Sequence, residues 1–207
     1  MNLLLKYIAI LGLIFVAVSI DISAQKSRKT PQNKQKSKNA GVGYVPTPPE
    51  TVTAMLRVAN IKKTDLLYDL GSGDGRIPIE AAKTYGIRAV GIEVEPELIK
   101  LARENAEKAG ASDLVKFEQT DLFKVDLRKV DVVTLYLSDK INLRLLPKLL
   151  RELKIGSRIV SHDFKMGDWK PEQSLKVPWE NLYRNVYLWT IPTNRRVPGQ
   201  IQRKKRR

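Results

Sequence analysis

The period of apolar and polar positions changes several times along the chain, and each change marks an element. Leu3 to Ile20 is almost continuously apolar, broken by Lys6, Tyr7, Gly12 and Ser19. Residues 25–49 then hold almost no large apolar groups, so they cannot bury enough surface to offset their chain entropy and read as a disordered linker. Beyond Pro46, Pro48 and Pro49, Val52, Met55, Leu56 and Ala59 recur at helical spacing. Leu66 to Leu70 is a short apolar run ending in glycines, a buried strand. Ile77 to Tyr85 is helical and stopped by Gly86; Ala89 to Ile92 is a second strand, ending at Glu93. Pro96 to Ala109 is a helix with proline in its first turn and Gly110 as its stop.

The alternation continues. Val115 to Phe117 is a third strand, and β-branched Val130 to Leu137 a fourth. Leu143 to Leu153 is a helix that Pro147 is expected to kink or break. Arg158 to Ser161 is a fifth strand. Leu175 to Trp179 and Tyr183 to Ile191 then alternate without a helix between them, as a terminal β-hairpin does. Strand and helix in strict turn predict an α/β, Rossmann-like, doubly wound and mainly parallel sheet, here seven-stranded with the antiparallel hairpin at its edge.

Length adds that 207 residues make one domain with tails. The absence of cysteine removes disulfides, thiolate metal sites and thiol nucleophiles, and a single histidine, His162, removes multi-histidine metal sites. The net charge of +15 suggests nucleic acid until it is located. Residues 26–38 carry six basic groups and residues 195–207 seven, with no acid in either stretch, so residues 39–194 are nearly neutral. The basicity belongs to the tails, which favours contact with acidic surfaces over a nucleic-acid-binding catalytic face. The expected divisions are an anchor or signal peptide at 1–24, a basic linker at 25–43, the folded domain at 44–193 and a basic tail at 194–207.

The apolar leader admits several readings. Residues 3–20 approach the length of a membrane span, while Lys6, the apolar core and Ile22-Ser23-Ala24 before Gln25 also fit a cleaved export signal. A buried core helix is the third. The six cations downstream favour a retained anchor with the folded domain on the cytoplasmic side.

The candidate chemistry lies in Asp69-Leu70-Gly71-Ser72-Gly73-Asp74-Gly75-Arg76. A buried strand, three glycines and a helix start give close backbone approach and free N–H groups. Glu93 ends the next strand, placed to accept hydrogen bonds from both ribose hydroxyls of a nucleoside cofactor. Arg76 occupies the third-glycine position of the dinucleotide fingerprint, and two carboxylates, Asp69 and Asp74, repel a pyrophosphate but suit an ammonium group. A methionine-bearing nucleoside fits better than NAD. A tight turn beside an incidental glutamate is the alternative without a ligand.

Asp69 to Gly75 resembles motif I of the class I, seven-strand methyltransferases, and Glu93 matches their ribose-binding acid. Tyr44-Val45-Pro46-Thr47-Pro48, Thr134-Leu135-Tyr136-Leu137 and Val160-Ser161-His162 extend the likeness to the mitochondrial lysine methyltransferases acting on the ATP synthase c-subunit and the adenine nucleotide translocase. The resemblance implies S-adenosylmethionine as cofactor, with contacts from Thr47, Asp69, Gly71, Ser72, Gly73, Asp74, Gly75, Glu93, Asp121 and Leu122, Asp121 reaching the adenine amino group. It implies a lysine of a protein as acceptor, of a membrane protein where the likeness to those mitochondrial enzymes extends to substrate. RNA or small-molecule methylation, and a non-catalytic nucleoside-binding scaffold, remain as alternatives.

Acceptors in such folds meet the cofactor outside the carboxyl end of the fourth strand, where Tyr136, Ser138 and Asp139 stand. Tyr136 can face a cationic amine or simply close the sheet; Asp139 can take a proton or cap the next helix. Asn-Pro-Pro-Tyr, the signature of many enzymes that methylate base amines, is absent. Ser161-His162-Asp163 is not expected to act as a triad, because neighbours on a strand point to opposite faces. His162 reads as structural or substrate-side; Trp169, Trp179 and Trp189 read as core or rim, Trp169 being the one placed by its loop to test at the substrate mouth.

Overall fold

Period-two alternation in the strands sets which side chain enters which of two cores. Leu67, Val132, Val160 and Leu188 enter one, while their immediate neighbours or near neighbours Leu70, Val133, Ile159 and Trp189 enter the other. The structure is a computed structural model that describes residues 44–194. The anchor, linker and C-terminal-tail assignments at 1–43 and 195–207 lie outside the described residues. Among the described residues no helix is long and apolar enough to cross a membrane, and no cluster of metal-ligating side chains occurs.

Eleven elements follow in order among these residues. They are α1 (Pro49–Val58), β1 (Leu66–Leu70), α2 (Arg76–Tyr85), β2 (Arg88–Glu93), α3 (Pro96–Lys108), β3 (Val115–Gln119), β4 (Val132–Leu135), α4 (Asp139–Glu152), β5 (Arg158–His162), β6 (Gln173–Trp179) and β7 (Leu182–Thr190). The seven strands form one sheet in the order β3-β2-β1-β4-β5-β7-β6. β1 to β5 run parallel, and the β6–β7 hairpin adds antiparallel pairs, Ile159 facing Trp189 in register. Chain order reverses direction between β1 and β4, which opens a crevice at their carboxyl ends.

Helices α1, α2 and α3 bury Met55, Leu56, Ile77, Ala81 and Ala102 in one core; α4 buries Leu145, Leu146 and Leu149 in the other. Two expected elements differ. β4 spans four residues rather than Val130 to Leu137, because Val130 N–H is taken by a turn to Leu127 and the chain leaves the ladder at Tyr136. The helix expected from Leu143 begins at Asp139, with Ser138 as N-cap accepting from Ile141 N–H, and runs through Pro147 without a break. Pro147 is exposed, and the leucines packed on either side of it hold the helix together.

Arg158 ties α1 to the sheet. Its guanidinium donates to the carbonyls of Ala59 and Asn60 at the end of α1 and to Asp65 Oδ1 at 2.7 Å. Both side chains are largely buried, at 13% and 5% exposure. Arg158→Met is expected to strand Asp65 and two carbonyls, with a loss of about 3 kcal/mol in urea denaturation. A loss below about 1 kcal/mol would show that water replaces the guanidinium there.

Candidate active site

β1 delivers Asp69, only 2% exposed, to the start of the glycine loop. Thr134 on β4 donates its hydroxyl to Asp69 Oδ1 at 2.7 Å. The loop then turns back on β2: Gly71 and Ser72 N–H both donate to the Ile92 carbonyl, at 2.8 and 3.0 Å. Gly73 and Gly75 adopt positive φ, 53° and 79°. A Cβ would run into the Tyr44 ring at the first and into Phe117 at the second, so these positions require glycine for both backbone and space.

Glu93 fastens this loop. Its Oε2 accepts from Gly73 N–H at 3.0 Å, and Oε1 accepts from Val94 and Glu95 N–H at 2.8 and 3.1 Å. Asp74 is paired: Arg76 donates to its carboxylate through Nε and Nη2, the latter at 2.7 Å. The same guanidinium donates to the Thr47 carbonyl at 2.7 Å. Arg76 therefore does more than displace a dinucleotide glycine. It neutralises one of the two carboxylates on which the ammonium argument rested, leaving Asp69 and Glu93 to supply the negative field.

The strap Tyr44–Pro48 lies against the loop. Tyr44 packs on Gly73, and its phenolic oxygen accepts from Asp74 N–H at 3.4 Å. Burial, with the Asp74 carboxylate beside it, pushes the Tyr44 phenol up. Between strap, loop and the ends of β2 and β4 is a cavity of about 490 Å³. Thr47, Asp69, Gly71, Ser72, Asp74, Glu93, Leu122 and Tyr136 line it, together with Ile92, Thr120, Leu137 and Phe164. Gly73, Gly75, Asp121 and Asp139 are not among the lining residues. The two glycines act through the backbone path just described. Asp121 turns its carboxylate to Phe123 N–H at 2.9 Å, leaving Thr120 and Leu122 to face the cavity.

A nucleoside bearing a methionine fits this cavity. Ile92 and Leu122 line it with apolar side chains, Glu93 stands at the end of β2, and the buried carboxylate of Asp69 suits an ammonium. Ser72 lines the cavity, while its Oγ is buried beside Gly91 without a partner in the protein.

Tyr136 leaves the end of β4, half-buried, and stacks on His162 with ring centroids 3.8 Å apart and planes 26° apart. Phe164 continues the aromatic wall at 6.0 Å. Asp139 is exposed and bonds Lys165 N–H at 2.9 Å; the helix cap expected of it belongs to Ser138. Trp169 takes the core reading rather than a place at the mouth: it is 8% exposed, packs on Trp189 in the second core and accepts the Trp189 indole N–H through its carbonyl. Strand alternation also fails at Asp163, whose φ of 58° turns its carboxylate back to 3.4 Å from His162 Nε2. Ser161 instead receives Asn142 Nδ2 at 3.3 Å, so no triad forms.

Two buried groups carry opposite pH dependence. Burial raises the Asp69 carboxyl to about 7, against the Thr134 hydrogen bond and with Glu93 and Asp74 adding. Burial also lowers His162 to about 4. Between pH 4 and 7 the folded chain holds the Asp69 proton that the unfolded chain has lost, so this group's contribution to stability falls as pH rises. For His162 the unfolded chain binds the extra proton, so its contribution falls as pH drops from 6.5 towards 4. Asp69→Asn is expected to gain stability relative to wild type as pH rises through this window, and His162→Phe to lose it. Urea denaturation across the window reads both; curves parallel to wild type would contradict the assignment.

The comparisons with known proteins agree with this geometry. Residues 69–173 match the family model of the ANTKMT methyltransferase domain. The protein-lysine N-methyltransferase of Saccharolobus islandicus is 43% identical over 151 residues, covering 72% of this chain and 94% of that protein. The adenine nucleotide translocase lysine N-methyltransferase of Mus musculus is 41% identical over 123 residues, 59% of this chain and 52% of its own length, so the chain spans about half of that relative. Among solved structures, an RNA methyltransferase from Salinibacter ruber in complex with S-adenosyl-L-homocysteine is 50% identical, with a TM-score of 0.69, over 75% of this chain and 97% of that one. The chain belongs to the ANTKMT methyltransferase-domain family of S-adenosylmethionine-dependent methyltransferases.

Proposed function

We propose that the chain transfers a methyl group to a lysine side chain of a protein, with S-adenosylmethionine as donor. The observation that carries this reading is the aromatic wall of Tyr136 and Phe164, which borders the same cavity as the glycine loop. An aromatic face attracts a cationic amine and its alkyl stem together. The names of the archaeal and mouse relatives, both lysine methyltransferases, support the same class of acceptor.

When bound, S-adenosylmethionine supplies a methyl group activated by its sulfonium charge. Asp69 and Glu93, directly or through the loop they hold, orient the donor, and the strap shields it from water. Tyr136 and Phe164 align the amine with the methyl carbon, and such alignment supplies much of the rate in a displacement of this kind. The amine must arrive neutral. His162 adds no positive charge to the wall, since burial keeps its imidazole unprotonated, and the partial desolvation of the wall lowers the cost of losing the ammonium proton to water.

The membrane and tail readings belong to the same proposal: an enzyme held by residues 3–20 with its catalytic domain in the cytoplasm, its basic tails drawn to acidic surfaces. A carboxyl-terminal reporter active only after export would overturn that topology.

RNA is the competing acceptor, favoured by the name of the Salinibacter ruber structure. Transfer of labelled methyl into a membrane extract separates the two. Label is expected to be removed by protease, to resist nuclease and to be recovered as methyl-lysine; nuclease-sensitive label would overturn the proposal. Tyr136→Ala is expected to lower kcat/KM for that acceptor about tenfold, the size of a partly desolvated cation–π contact. Glu93→Ala is expected to weaken S-adenosylhomocysteine binding at least tenfold in calorimetry, since it frees three backbone N–H groups.

A further inference from the structure

His162 is wholly buried, and a phenylalanine would fill its place without the cost of burying two ring nitrogens. Both nitrogens are nevertheless faced by polar atoms. Nδ1 lies 3.1 Å from Thr47 Oγ1, and Nε2 lies 3.4 Å from Asp163 Oδ2. Asp163 is itself held by Arg184 Nη1 at 3.2 Å and by Asn185 N–H at 2.7 Å. A neutral imidazole has one proton; the Asp163 carboxylate beside Nε2, although it makes no hydrogen bond to it, favours the proton there, so Nδ1 accepts from the Thr47 hydroxyl.

Thr47 is therefore gripped twice. Arg76 on α2 holds its carbonyl, and His162 on β5 holds its hydroxyl from 115 residues away in the chain. The ring that holds Thr47 is also the ring on which Tyr136 stacks. Roof and acceptor wall thus meet in one side chain.

We propose that His162 is a positioning residue that sets the strap over the cofactor through Thr47 and the acceptor wall through Tyr136, so that the two substrates' sites are aligned by one imidazole. The acceptor half rests on the methyl-transfer reading above; the strap half needs only a cofactor in the cavity. The two functions separate by substitution. His162→Phe keeps a ring against Tyr136 and loses the Thr47 hydrogen bond. His162→Asn keeps an oxygen that can accept from Thr47 and loses the ring.

The full chain would be titrated with S-adenosylhomocysteine by calorimetry, with melting followed for each variant. Thr47→Val and His162→Phe are each expected to weaken binding about five- to tenfold, the loss of one hydrogen bond. The double variant should be no weaker than either single, because both remove the same bond. His162→Asn should bind within about twofold of wild type, yet need several times more of the methyl-accepting extract for half-saturation. Multiplied losses in the double variant, or equal losses in the Phe and Asn variants, would overturn the proposal and leave His162 a packing residue. If the His162 variants do not fold, Thr47→Val against Thr47→Ser decides: serine should restore binding, and failure to do so refutes the strap bond. Nuclease-sensitive label would sink the lysine reading while leaving the calorimetric result intact, so the two failures are distinguishable.

Discussion

The active cavity depends on one carboxylate that binds protein before it binds any ligand. Glu93 accepts three backbone N–H groups, one from Gly73 in the loop after β1 and two from the turn after β2. It adds the turn after β2 to a loop that Gly71 and Ser72 N–H already fasten to the Ile92 carbonyl. An anionic acceptor makes stronger hydrogen bonds than a carbonyl, and it fixes the loop in positive-φ geometry that only glycine adopts without strain. The carboxylate retains lone pairs beyond those three, so its role in the loop does not exclude a role towards ribose. A contact from Glu93 to the donor would then share the interaction that builds the loop.

Around that bond a second layer closes. Arg76 neutralises Asp74 and reaches the strap; Asn105 on α3 donates to the Asp74 carbonyl at 2.9 Å. Of the two carboxyls left to face a cation, Glu93 and Asp69, the second is bound by Thr134 and raised by burial to about 7. An incoming ammonium favours the ionised carboxylate, so binding and deprotonation of Asp69 reinforce one another. In the empty protein burial favours the neutral acid, which is why this group's contribution to stability falls as pH rises.

Most of the fold was legible because the strands carry it. β1 coincides with the expected Leu66 to Leu70, and the strand–helix alternation led to a doubly wound sheet with an antiparallel edge, as observed. Where the reading slipped, tertiary contacts had outweighed the local pattern. Val130 looks like strand but is held in a turn, and Pro147 looks like a break but sits on the exposed side of a helix secured by its leucines. The cavity was legible from Asp69 to Glu93 because spacing implies it. Arg76's grip on the strap, and the meeting of Thr47, Tyr136 and His162, were not. These three come from a preceding segment and two different strand ends, and no local period relates them. The signal available was a single histidine at the end of a strand, with no second histidine to suggest metal.

The acceptor side is where family membership stops carrying the argument. Two relatives of similar identity bear names for different acceptors, a protein lysine and an RNA, although one fold and one donor serve both. In this chain the wall beyond β4 borders the cavity. Here that wall is aromatic: Tyr136 backed by a neutral His162, with Phe164 beside it and Asp139 turned to Lys165 N–H. A base amine needs a planar slot with hydrogen-bond partners on its edge, since an unpaired polar edge is costly to bury. A lysine needs only an apolar sleeve for its methylenes and a π-face for its head. The described wall offers the second set of contacts, and the basic residues that suggested nucleic acid lie in the tails, outside it.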